Sequence, residues 1–185
     1  MKKSLLSLVG AAALAIVGSG IANATITVAL TSESGGVWSY GISVDSLESV
    51  NSTSYFTIYD FAGYESGTIF APAGWTDSVQ LVGKTPGTVN VPDSGSLYNL
   101  TFSYTGPPTT LPGGSTVSGF GADSAAPSEV LGWFSYQAIK TSLGTPDQGD
   151  GNLEVPVGTP EPMTMSLLGG GLALLGMLRF RTKKS

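Results

Sequence analysis

Large apolar residues recur at every second position through much of this chain. In Trp38-Ser39-Tyr40-Gly41-Ile42-Ser43-Val44 the large side chains alternate with Ser or Gly, and Tyr98-Asn99-Leu100-Thr101-Phe102-Ser103-Tyr104 repeats the pattern. A period of two sends one set of side chains to a buried face and the other to water, which predicts strands. Further strands are expected at Thr25–Leu30, Tyr55–Phe61, Val79–Val82, Val117–Phe120, Leu131–Ile139 and Leu153–Val157. Turn-forming clusters separate them, among them Ser34-Gly35-Gly36, Ala71-Pro72-Ala73-Gly74 and Pro112-Gly113-Gly114. No window between the ends carries a helical stripe. About seven or eight short strands with turns between them predict an all-β fold, an antiparallel β-sandwich or jelly roll, in one domain over residues 25–144. Residues 145–159 read as a last strand and a linker.

The two ends break this pattern. Lys2 and Lys3 precede an apolar run from Leu5 to Ile21, and Ala22-Asn23-Ala24 follows. A charged start, a short apolar core and small residues at Ala22 and Ala24 are what a signal peptidase reads, so residues 1–24 are expected to be a signal peptide cut before Thr25. At the other end Thr159-Pro160-Glu161-Pro162 leads into an apolar run, Met163 to Leu178, and then Arg179, Arg181, Lys183 and Lys184. A helix over 163–178 would reach only about 24 Å, short of the roughly 20 residues that span a bilayer comfortably. Gly169, Gly170 and Gly171 weaken it further. The basic tail would stay on the cytoplasmic side and place Glu161 outside.

This tripartite C-terminus, residues 160–185, resembles the PEP-CTERM sorting signal of Gram-negative bacterial surface proteins. Thr159 stands where that signal often has Val. The resemblance implies recognition at Pro160, Glu161 and Pro162 by an exosortase-type membrane protease, with Arg179, Arg181, Lys183 and Lys184 fixing membrane orientation. It also implies a short C-terminal transmembrane sorting helix that holds the chain before processing, or anchors it permanently if no cut occurs. Tyr55-Phe56-Thr57-Ile58-Tyr59-Asp60-Phe61-Ala62-Gly63 with Pro72-Ala73-Gly74-Trp75, and the strand Asn99–Gly106, are similar to blocks in other surface proteins of this kind.

Charge changes the picture once the ends are set aside. Thirteen acidic residues lie between positions 25 and 162 against two bases, Lys84 and Lys140, a net charge of −11 where the whole chain carries −5. Such a surface repels nucleic acid and anionic lipid. The chain has no Cys and no His, which removes disulfides, zinc sites of the usual kind and Ser-His-Asp chemistry.

What remains is a short set of candidates. Asp60 and Glu65 are the best pair of carboxylates for glycoside hydrolysis, which needs two such groups about 5 to 10 Å apart; Asp60, after a strand and before Gly63, reads more simply as a turn residue. Asp147, Asp150, Asn152 and Glu154, around Gly149 and Gly151, form an oxygen-rich stretch of the type calcium selects, although the spacing is not that of an EF-hand loop. Trp75, in a Pro- and Gly-rich segment, and Trp133, which must face away from Phe134, are the aromatics expected to meet a ligand. No catalytic or cofactor motif is present. The expected product is an exported, non-enzymatic cell-surface or extracellular-matrix protein, connected by the family resemblance with exopolysaccharide and biofilm. A carbohydrate-binding module for the exopolysaccharide is the alternative, and a secreted hydrolase the remote one.

Overall fold

The computed structural model describes residues 25–106 and 111–158, and every regular element among them is a strand. In chain order these are β1 (Ile26–Ser34), β2 (Val37–Val44), β3 (Glu48–Ser49), β4 (Tyr55–Phe61), β5 (Trp75–Gln80), β6 (Tyr98–Tyr104), β7 (Thr116–Asp123), β8 (Ser128–Lys140) and β9 (Pro146–Val157). All pairings are antiparallel. One sheet has the order β1-β2-β7; the other runs β5-β6-β4-β8, with β9 on the far edge of β8 and the short β3 beside its end.

The alternation in β2 works as expected. Trp38, Tyr40, Ile42 and Val44 are buried, and Ile26 and Val28 of β1 join them across the hairpin. Gly35 and Gly36 make that hairpin turn with positive φ at both positions, where side chains are strained. On the other side of β2 the register slips between Tyr40 and Gly41, and Gly119 of β7, with φ of +92°, is the extra residue. The bulge lets Phe120 and Ala122 face inward with Tyr40 and Trp38. From the larger sheet Phe56, Ile58, Leu100, Phe102, Phe134 and Tyr136 meet them, so one apolar core lies between the two sheets. At its centre Phe120 packs edge-on against Phe56 and Trp75 at 5.0 Å each and against Phe102 at 5.2 Å. The Tyr40 hydroxyl donates to the Glu154 carbonyl at 3.1 Å, tying the sheets together. The outer edge of β7 is covered at its C-terminal end, where Phe70 exchanges both backbone hydrogen bonds with Gly121 and Glu65 N–H donates to Asp123. This shortens the open edge that another chain could pair with.

Two elements differ from expectation. The stretch 145–159, read as a last strand and linker, is strand from Pro146 to Val157, paired residue for residue with β8. Its glycines obscured this: Gly149 lies opposite Tyr136 and Gly151 opposite Phe134. A Cβ on either would come within 2.7 Å of the facing ring, so the aromatic covers the glycine and replaces the missing side chain. β5 begins at Trp75, not Val79, and ends at Gln80. Trp75 pairs with Tyr104 and stacks edge-on with it at 5.3 Å. The Pro- and Gly-rich turn before it delivers the indole into the core.

Candidate functional site

The face of the large sheet turned away from the core is polar but covered. Thr57 and Thr101 share a hydrogen bond of 2.9 Å, and the Tyr59 hydroxyl bonds Ser135 and Thr85, each at 2.7 Å. Residues 81–97 cross this face as a strap. The Lys84 carbonyl accepts from Thr57 at 2.7 Å, while the Lys84 ammonium sits 3.7 Å over the Tyr55 ring. Asp93 accepts from Gly83 N–H and from the Asn99 amide, both at 2.9 Å, and Gln148 accepts from Thr88. Buried hydroxyls and amides are costly without partners; the strap supplies them. This also fixes Asn99, which heads an Asn-x-Thr sequence yet is fully buried as a structural residue.

Asp60 belongs to the same fastening. Its backbone is left-handed, φ 56°, at a register shift between β4 and β6, a conformation Asp tolerates better than most residues. Its N–H donates to Asn99 and its carboxylate accepts from Ser94 N–H, both at 2.9 Å. Glu65 is exposed, in the segment whose backbone is tied to Asp123. The two carboxylates therefore serve different parts of the fold, one holding the strap and the other free in solvent.

The calcium candidates do not converge. In β9 the alternation sends Asp150, Asn152 and Glu154 to the outer face, opposite Ser135, Trp133 and Leu131, and Asp147 to the inner one, opposite Ala138. Among the described residues no group of three acidic side chains is arranged to hold a metal ion. Trp75 is buried in the aromatic cluster and cannot meet a ligand. Trp133 stays half-buried on the outer face beside Leu131, which is 64% exposed. The processing residues Ala22 and Ala24, and the sorting residues Pro160, Glu161, Pro162, Arg179, Arg181, Lys183 and Lys184, lie outside the described residues, as does the apolar span 163–178. No helix among the described residues is long and apolar enough to cross a membrane.

The most polarised place in the fold is a corner that sequence reasoning missed. Glu48 of β3 is opposite Lys140 of β8 and has no exposure to solvent, and no donor group reaches either of its oxygens; Asp147 can share a hydrogen bond with it only while one of the two is protonated. Burial pushes its carboxyl up to about 7; Asp147 and Asp45 add to the effect and Lys140 opposes it. Asp147 is held by Lys140 at 3.1 Å. Two carboxylates can hydrogen-bond each other only through a proton, so an ionised Glu48 is left without a donor. Tyr136 completes the corner, its hydroxyl hydrogen-bonded by the Thr25 side chain and the Ile26 backbone. Nothing in the sequence marked Glu48, which is buried together with Ser49 and Val50 that follow it.

Two clefts of about 540 Å³ flank the domain. One is lined by Glu33, Gly36, Trp38, Ser124, Pro127 and Glu129; the Trp38 indole N–H is buried without a partner. The other, lined by Ser46, Ser49, Gly113, Lys140 and Thr141, adjoins the Glu48 corner. Comparison with protein-family models, curated proteins and solved structures found no match to this chain.

Proposed function

We propose that this chain is an exported, non-enzymatic surface or matrix protein whose β-sandwich domain is delivered by the two terminal signals. The observation that carries the reading is the fit between the folded domain and the two expected cuts. β1 begins at Ile26, directly after the Ala22-Asn23-Ala24 site, and β9 ends at Val157, just before Pro160-Glu161-Pro162. Both cuts would fall outside the sheets and leave every strand among the described residues intact. Exosortase-type processing would then release or attach the domain at the cell surface, where its acidic, strapped outer face meets the exopolysaccharide.

The carbohydrate-binding alternative narrows to Trp133, the half-buried indole on that outer face. The proposal is tested by replacing Pro160, Glu161 and Pro162 together with alanine and fractionating the host. The unaltered protein is expected at the surface or in the medium, and the variant in the inner membrane with its basic tail still attached. An unchanged distribution would remove the motif from the account.

A further inference from the structure

The orphaned Glu48 carboxylate points to a group that the encoded chain does not supply but its processing would. Thr25 sits at this corner. Its carbonyl accepts the Asp45 N–H at 3.0 Å, and the Asp45 carbonyl in turn accepts the Glu48 N–H at 3.0 Å. The Thr25 side chain is hydrogen-bonded to the Tyr136 hydroxyl, which itself feels the charges of Glu48 and Asp147. The Thr25 nitrogen is one Cα away from both of these attachments. While residues 1–24 are attached, that nitrogen is a neutral amide. A cut after Ala24 turns it into an α-ammonium, a positive charge with three donors.

We propose that removal of the signal peptide completes this corner: the new Thr25 α-ammonium becomes the counter-ion of the buried Glu48 carboxylate, flanked by Asp45 and Asp147. The inference rests on cleavage after Ala24. Lys140 does not fill the role here: its ammonium lies 3.1 Å from Asp147, and it donates to neither Glu48 oxygen. A buried carboxylate without a partner is strongly unfavourable, and supplying a charged donor relieves it. Cleavage therefore does more than release the chain; it stabilises the domain that has just been exported.

The pH dependence has a defined sign in each form. The groups facing Glu48 are Asp147 on β9, Lys140 and Tyr136 on β8, and Asp45 before β3. With Thr25 in a peptide bond, Glu48 binds its proton more tightly folded than unfolded. Stability is then lost as pH rises from 4.5 to about 7. With the ammonium in place Glu48 stays ionised, and that loss disappears. An amine flanked by carboxylates is expected to titrate above its ordinary value of about 7.7–8.0, so its contribution is complete below that range and is lost as pH rises through the raised value.

The test uses exported protein purified from the host. One form is unaltered; the second carries Gly-Ser inserted between Ala24 and Thr25, so that the same cut leaves the amine two residues from the corner. N-terminal sequencing precedes melting at pH 7. The insertion is expected to lower the melting temperature by about 3–6 °C, and the drop is expected to vanish when both forms carry Glu48→Gln. A start at Thr25 with equal melting temperatures, or an equal drop in the Glu48→Gln pair, overturns the ion pair alone. A start elsewhere overturns the cut and the inference together. Should Glu48→Gln fail to fold, the α-amine pKa of the unaltered protein decides: a raised value supports the pairing, and an ordinary one overturns it.

Discussion

Phe120→Ala is expected to cost about 3–5 kcal/mol, the range for deleting a buried aromatic ring. Phe120 is fully buried and touches Phe56, Trp75 and Phe102 from the opposite sheet, so its ring is a central contact by which β7 packs on the larger sheet. The neighbours are themselves large rings fixed in strands and cannot collapse into the space. Domains of this size have about 5–15 kcal/mol in total, so the variant would sit close to unfolding under ordinary conditions. Urea denaturation measures it directly: a midpoint shift equivalent to less than about 1 kcal/mol would mean the core is not organised around this ring.

Gly121→Ala is the second large effect, and its cause is space, not conformation. A Cβ at Gly121 would strike the Trp38 carbonyl and come within 2.6 Å of the Phe70 ring. The carbonyl belongs to the β2 backbone paired with β7 and cannot move without breaking that ladder, while the Phe70 ring would have to swing aside from a backbone bonded twice to Gly121. A loss of about 3 kcal/mol is expected, as for an overpacked core. Gly87→Ala is the control: nothing lies within 4 Å of its Cβ and its φ is not positive. It should be neutral or stabilise by up to about 1 kcal/mol. Equal effects from the two substitutions would contradict the packing at the β2–β7–Phe70 junction.

The strands that alternate cleanly could be read from the sequence because the hydrophobic effect acts on them directly. β2 and β6 appear where the alternation of Trp38–Val44 and Tyr98–Tyr104 placed them; β4 is at the expected Tyr55–Phe61 but is buried on both faces, because the strap covers its outer one. The missed parts depend on partners distant in the chain. Gly149 and Gly151 look like loop residues until Tyr136 and Phe134 are set opposite them. Trp75 looks like a loop aromatic until Tyr104 and Phe120 enclose it. Asp60 reads in the sequence as a turn residue, but it lies inside β4 at a register shift, with a left-handed φ of 56°. What it fastens was not legible, because the strap meets it through Ser94 and Asn99, far along the chain. The Glu48 corner was invisible for the same reason: Asp45, Asp147, Lys140, Tyr136 and Thr25 are gathered by three different strand pairings.

The proposal of an exported domain carried by removable ends is tested most directly by the intact mass of the protein from its own host, with cell fractions kept apart. The account predicts a species running from Thr25 to the neighbourhood of Pro162, found outside the inner membrane, with any excess mass marking an attached glycan or lipid. A steady-state form in the inner membrane that still carries Arg179 to Ser185 would contradict it, and the C-terminal span would then be a lasting anchor.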